Sequence, residues 1–399
     1  MATDYQTSNQ RLCLAAIQAV AGTPTTLVAA THSQLILDGK FSFETGKLER
    51  TIDIAGHGGK PFLNVKRRAM FAGGMELRGN STIGSAAPIG PMLRACGFSQ
   101  TLSGGTSATY ALVTTGHEMV TIRGYDSGQA VTGIDARGVL KKLTFKIRDY
   151  SKADFEILGL PPVKGTASGA TTDSAGYAAA ATTITLASAG TGTILAGDYV
   201  RFAGQTTSYL VATGDADVSN GGTIVLAAPG LVTLLAASPI AITVCEPVIV
   251  DLSTPSGTFT SFQAPVALET ETMQVLIGAT ELNATNVDID TGAEVEIYEG
   301  SRERSVRQKT LYAPSGTLTI TKEYRSDFDP EVLALANTLS DFIVKVNGGG
   351  ELQTWTLKGT QLGIPKLTSV DELAHWEIPF TSTGTTTVDC MTVVFSAAV

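Results

Sequence analysis

Few side chains in this sequence of 399 residues stand where they could do chemistry. Asp290-Thr291-Gly292 is the triplet found at the nucleophilic end of aspartic proteases. Two carboxyls must share one proton there, so a triplet present once needs a symmetric dimer. The same residues also make an ordinary hairpin turn. Val287-Asp288-Ile289-Asp290 and Val295-Glu296-Ile297-Tyr298 alternate on either side of it, which favours the turn. Gly56-His57-Gly58-Gly59-Lys60 has the residue types of a phosphate loop, without its GxxxxGK[ST] spacing or a strand-to-helix passage. It reads as a flexible loop with a few basic residues.

Lys66-Arg67-Arg68 is the densest basic run, but the stacking aromatics and further cations of a nucleic-acid groove are missing around it. It reads as a contact loop. His32, His57, His117 and His375 show no metal spacing with cysteine or carboxylate. Asp327, Asp329 and Glu331 could gather a cation, yet Asp329 and Glu331 fit the start of a helix. Cys13, Cys96, Cys245 and Cys390 lie apart in apolar settings and read as buried free thiols in a reducing compartment. The expectation is a structural protein rather than an enzyme, with no catalytic, cofactor-binding or metal residues.

The elements that would have to position a site are mostly strands. Charged residues make up only 16 % of the chain, too few for long exposed helices, and the expected fold class is mainly β. Residues 1–34 read as an N-terminal arm, with a short helix over Arg11 to Val20 stopped by Gly22-Thr23-Pro24. A first β module is expected over residues 35–162. Leu35-Ile36-Leu37 leads to a turn at Asp38-Gly39, and Lys40 to Glu44 alternates as in a half-buried hairpin. A strand over Met70 to Leu77 is interrupted by Gly73-Gly74. One helix follows, with Pro88 and Pro91 in its first turn and Gly97 as its left-handed stop. Strands at Thr109–Val113, Met119–Gly124, Val139–Ile147 and Phe155–Gly159 complete the module.

Residues 163–258 differ in texture and read as an inserted, Ig-like all-β domain. Lys164 to Ala181 is a Gly/Ala/Ser/Thr-rich linker, and short strands follow at Thr182–Leu186, Asp198–Phe202, Tyr209–Ala212 and Thr223–Leu226. Residues 259–399 then repeat the first module's order. Gly316 to Thr321 matches the place of Gly73 to Arg78. A helix starts at Asp329 and Pro330, and strands follow at Phe342–Val346 and Thr354–Leu357. The endings Gly138–Gly159 and Gly363–Gly384 each carry Lys-Leu-Thr, a charged turn and an aromatic-Glu-Ile strand, which suggests an internal duplication.

Charge is divided unevenly among these parts. Residues 1–162 carry 17 Lys and Arg against 12 Asp and Glu, residues 163–260 carry 2 against 6, and residues 261–399 carry 9 against 19. A net +5 at one end and −10 at the other suggest that the first part of one chain meets the last part of another. The N-terminus lacks a basic start with an apolar stretch and cleavage site, and the longest apolar runs are too short to span a bilayer. No membrane partner is expected.

Phe71-Ala72-Gly73-Gly74-Met75-Glu76-Leu77-Arg78-Gly79, Gly90-Pro91-Met92-Leu93-Arg94-Ala95-Cys96-Gly97-Phe98 and Ser103 to Tyr110 resemble phage tail tube proteins. Gly133 to Gly138 and Phe155 to Gly159 are similar to the family's second sheet. Ile17 to Thr23 is similar to its N-terminal arm, although Gln18-Ala19 stand where Glu-Thr is frequent. The resemblance covers most of 12–160, is looser over 261–399, and leaves out the middle. There, Gly192 to Asp198 is similar to small β modules inserted in other virion proteins.

What the resemblance implies is the major tail tube protein of a long non-contractile phage tail. It would have two related β-sandwich or barrel modules, each with one flanking helix, around an outer β domain. Its chains would form stacked rings, trimers with pseudo-sixfold symmetry, around a conduit for double-stranded DNA with an acidic or neutral bore. Lys66-Arg67-Arg68 would then make a ring-to-ring contact. Implied partners are further copies of itself, a tape-measure protein in the lumen, tail terminator and tail-tip proteins, and DNA in passage. The implied location is the virion tail, assembled in the host cytoplasm. A capsid or head-decoration protein and an Ig-like surface adhesin are the alternatives.

Overall fold

The computed structural model describes residues 11–49, 62–126, 129–162, 164–205, 207–245, 268, 272–299, 304–310, 312–322, 328–348, 351–370, 373–384 and 390–397. His57 and Asp327 lie outside the described residues, as do the side chains of Lys66 and Arg67. The fold is mainly β and sandwich-like. In chain order the first half contains β1 (Arg11–Gln18), α1 (Ala29–His32), β2 (Ser33–Gln34), β3 (Ile36–Glu49), β4 (Phe62–Glu76) and α2 (Gly90–Ala95). It continues with β5 (Phe98–Ser103), β6 (Ser107–Leu112), β7 (Met119–Asp126), β8 (Gln129–Lys146) and β9 (Lys152–Leu160).

The segment expected to open as a helix is strand β1. Leu12 to Ile17 is apolar at every position, so it has no polar stripe to turn towards water. As a strand it buries both faces: Cys13 and Ala15 enter the main core, while Leu12, Leu14 and Ala16 pack with Leu27. It pairs antiparallel with β7 along its length and with β2 near its middle.

Asp38-Gly39 is not a turn either. β3 runs straight through it with a bulge between Ile36 and Asp38. Opposite lies Gly73, at φ +159, where a Cβ would stand 2.0 Å from the Asp38 carbonyl oxygen. The two glycines of β4 therefore admit a close backbone approach rather than interrupting the strand, and the Gly74 amide donates to Asp38 Oδ1 at 2.8 Å. The expected helix forms as α2, with Pro91 in its first turn and Gly97 left-handed at φ +86 after it.

The middle of the chain forms its own sheet and core. Its strands are β10 (Thr183–Thr185), β11 (Tyr199–Phe202), β12 (Tyr209–Thr213), β13 (Thr223–Leu226) and β14 (Ile242–Cys245), in the order β10-β13-β12-β11-β14. The stretch read as a linker belongs to this fold. Thr171, Thr172 and Tyr177 bridge to Ala241, Leu186 and Leu235, and Ala170 is buried in the core. Its small residues let backbone lie against backbone, so a linker-like composition carries ordered, hydrogen-bonded chain.

The second half contains β15 (Met273–Ile277), β16 (Thr280–Leu282), β17 (Ala284–Asp290), β18 (Glu294–Glu299), β19 (Arg304–Thr310), β20 (Ser315–Thr321) and α3 (Pro330–Leu335). It ends with β21 (Leu339–Gly348), β22 (Glu351–Leu362), β23 (Lys366–Val370), β24 (Leu373–Ser382) and β25 (Met391–Ala397). Asp329 caps α3, accepting from the amides of Glu331 and Val332.

Both halves have the same spatial order. The first reads β2-β1-β7-β8-β9-β4-β3, and the second reads β16-β15-β21-β22-β24-β20-β17, with every neighbouring pair antiparallel. The irregularities coincide as well. β3 slips between Ile36 and Asp38, as β17 does between Ala284 and Asn286. The β7–β8 ladder slips between Val120 and Ile122, and the β21–β22 ladder between Ser340 and Phe342. Asp135 and Gly359, both left-handed, sit in those slips.

Pairing fixes which residues correspond. Lys142-Leu143-Thr144 of β8 stand where Lys366-Leu367-Thr368 of β23 stand, since Lys142 faces Asp154 and Lys366 faces Glu377. The aromatic-Glu-Ile match read from the sequence is two residues out: Asp154, not Glu156, is the counterpart of Glu377. An even slip leaves each side chain on the same face, so alternation alone could not reveal it.

Candidate functional site

The triplet Asp290-Thr291-Gly292 does not turn a hairpin, because β17 and β18 do not pair with each other. It carries the chain between two separate pairings at the seam of the two halves. The Thr291 side chain is fully buried and its hydroxyl donates to the Leu140 carbonyl, while its amide donates to the Lys141 carbonyl at 2.9 Å. The Asp290 carboxylate accepts from the Gly292 amide at 2.8 Å. The threonine is thus committed to holding β8.

The rest of the seam is built around it. β17 adds to the end of β8 in the register Asp288↔Thr144 and Asp290↔Lys142. Lys142 Nζ lies 2.8 Å from Asp288 Oδ1, which also accepts from Thr144 Oγ1 at 3.0 Å. Partial burial disfavours the Asp288 carboxylate, but Lys142, Asn286 and Thr144 outweigh it and hold its pKa below the usual range. The β18–β19 hairpin lies over β8 and β9, where Val295 and Val306 pack on Val139 and Leu158. Tyr312 receives the Leu140 amide at 3.0 Å and donates to the Cys96 carbonyl at 2.8 Å.

On the other side of the seam β25 pairs with β6, bringing Phe395 against Tyr110 at 5.9 Å. Phe145 and Trp355 meet across the core at 6.3 Å. Glu351 is almost fully buried there, 3 % exposed, against the Gly79–Asn80 backbone of the first half. Burial pushes its pKa up to about 7, against the pull of those two amides.

The inserted sheet rests on the first half through Arg123, which is buried and donates to the Tyr199 hydroxyl at 2.7 Å and to Thr132 Oγ1 at 2.9 Å. A cavity of about 270 Å³ lies beside this contact, lined in part by Lys164, Asp198 and Cys245. The Asp198 carboxylate is taken up by the amides of Gly165 and Leu195, so it ties the start of the insert rather than facing a ligand.

The remaining residues picked out by type are dispersed. His32 accepts from the Val28 amide, His117 contacts the Val113 carbonyl, and His375 contacts the Leu373 carbonyl, each partner at most four residues away in sequence. Cys13, Cys96 and Cys390 are buried and Cys245 is half-buried. Burial raises the Cys13 thiol to about 12 and the Cys96 thiol well above its ordinary value. Lys66-Arg67-Arg68 lies within strand β4 rather than in a loop, and Arg68 is hydrogen-bonded to Glu44.

Among the described residues no group of three or more His, Cys, Asp or Glu is placed to hold a metal ion. No described helix is long and apolar enough to cross a membrane. What the sequence reading missed is the seam itself: Tyr312 and Glu351 carry no motif, Thr291 stands out only as part of a protease-like triplet or turn, and only their long-range partners give them a role. Comparison with protein-family models and with curated proteins finds no match.

Proposed function

We propose that the chain is a structural subunit that assembles with further copies of itself into rings and stacked rings, the tail tube of a long-tailed phage. One observation carries the reading: two halves of identical strand order are joined edge to edge, β8 to β17. A rule that seats one such module beside another inside a chain can seat the next chain in the same way, and a closed ring is its finite outcome. With the six modules per ring that the motif resemblance implies, two modules per chain make three chains per ring. The conduit for double-stranded DNA, the tape-measure and tail-end partners, and the location in a virion tail follow from this reading and from the motif resemblance in the first half.

Each Lys or Arg offered to passing phosphates would add a salt-dependent grip. The second half, with its excess of acidic residues, therefore suits the bore. Electron microscopy of the purified protein tests the proposal. Hollow filaments of constant width with three chains per ring are expected. Six complete chains per ring would refute the trimer, and closed shells or persistent monomers would favour a capsid, decoration or adhesin protein instead.

A further inference from the structure

The internal seam uses two strand edges whose counterparts are left open. β8 gives its edge over Lys142–Lys146 to β17. Its counterpart β23 pairs only with β24, and β3, the counterpart of β17, pairs only with β4 among the described residues. Open edges are templates for further strand addition. The apolar side chains around β23 point the same way. Ile364 and Leu367 are 65 % and 58 % exposed, whereas their counterparts Leu140 and Leu143 beside the seam are fully buried.

The helices repeat the contrast. Met92 and Leu93 of α2 are buried, and its C-terminal Cys96 carbonyl is held by Tyr312 of the other half. On α3, Val332 and Leu335 are 59 % and 67 % exposed. The end of this helix lies beside β22, since Asn337 accepts from Gln361 at 2.7 Å. One flank of the second half thus presents an open edge and an uncovered helix where the first half has both covered.

We infer that this flank is the docking surface for a second copy of the chain, whose β3 adds to β23 in the register that β17 adopts on β8. The inference deepens the ring reading and rests on it. Carrying the register over, by Asp288 to Lys40 and Thr144 to Thr368, sets Lys40 of one copy opposite Thr368 of the next, and Phe41 opposite Leu367. The contact is heterologous, head to tail, so it propagates until the ring closes. It is also weaker than the internal seam. Lys40 stands where Asp288 makes its ion pair with Lys142, and β6, which receives β25 inside the chain, has no counterpart in the second half.

Cysteine cross-linking reads this register directly. Directly opposed residues of an antiparallel pair have Cα atoms about 4.5–5.5 Å apart, within disulfide range. Lys40→Cys and Thr368→Cys are made separately in a Cys245→Ser background, mixed under assembly conditions, and oxidised with oxidised glutathione. The mixture should give a covalent dimer that neither variant gives alone, and the double variant a ladder that stops at three chains. Rings seen by microscopy without the 40–368 cross-link overturn the edge pairing and leave the ring reading standing. The cross-link without rings supports the pairing and overturns the ring, and neither cross-link nor rings overturns both. Leu367→Asp should reduce assembly at least tenfold with an unchanged melting curve, while Leu234→Asp, at the still more exposed Leu234 of the insert, should leave it unchanged. Equal assembly by both variants would also overturn the edge pairing.

Discussion

Replacing Glu351 by glutamine should make the protein more stable at pH 8 and leave it unchanged near pH 4.5. The carboxyl opens β22 with only 3 % of the residue exposed, and its Oε2 has no hydrogen-bond partner. Burial is the main cause of its rise from an ordinary 4.5 to about 7, and the amides of Gly79 and Asn80 offset only part of it. The folded state therefore binds this proton more tightly than the unfolded chain. No penalty arises below about pH 4.5; it grows as pH rises towards 7 and is complete above.

A rise from 4.5 to about 7 corresponds to about 3 kcal/mol at about 1.36 kcal/mol per pKa unit, so an effect of roughly 2–3 kcal/mol is expected. Glutamine keeps the neutral shape at every pH, so the variant should gain that amount at pH 8. Urea unfolding at pH 4.5 and pH 8 measures it, and the fluorescence of buried Trp355, four residues along the same strand, reports the seam. A variant that gains nothing at pH 8, or gains equally at both pH values, would refute the titration argument.

Asp288→Asn should cost roughly 0.5–1 kcal/mol at neutral pH, because the ion pair with Lys142 is partly exposed. The Asp288 pKa is lowered in the fold, so its contribution is present above the unfolded value and lost as pH falls. Urea curves of variant and parent should accordingly converge near pH 3. Thr291→Val keeps the shape and removes the hydroxyl that serves the Leu140 carbonyl. About 1–2 kcal/mol should be lost in the same measurement, and an unchanged stability would mean the seam does not depend on it. Gly316→Ala places a Cβ 2.0 Å from the Asp288 carbonyl oxygen and should separate β17 from β20, seen as a loss of more than about 2 kcal/mol. Deleting 165–245 behind a short glycine linker should leave a folded protein with an intact β circular-dichroism spectrum, because Gly165 reaches Asp198 and Cys245 pairs with Tyr199, placing the two ends side by side. Loss of that spectrum would show the insert to be integral to the fold of both halves.

Local chemistry was legible without the fold. Alternating apolar residues mark the strands of both halves, proline and glycine bracket α2, and Asp329 with Pro330 starts α3, because these signals act within a few residues. Leu12 to Ile17 misled for the same reason: a short run that is apolar throughout has no period, and its state is decided by β2 and β7 on either side. The Gly/Ala/Ser/Thr-rich start of the insert misled because small side chains suit close backbone packing as well as a linker. The sequence alone also carried the charge division and the Lys-Leu-Thr repeat, but not the strand partners. Two residues of slip in the repeat keep every face, so only the hydrogen-bonded ladder sets the register. The tertiary structure alone decided that Asp290-Thr291-Gly292 is part of a seam, that Glu351 is buried against Gly79, and that β3 and β23 are left open. Each of these depends on residues more than a hundred positions apart in sequence or on the absence of such a partner, which no local pattern encodes.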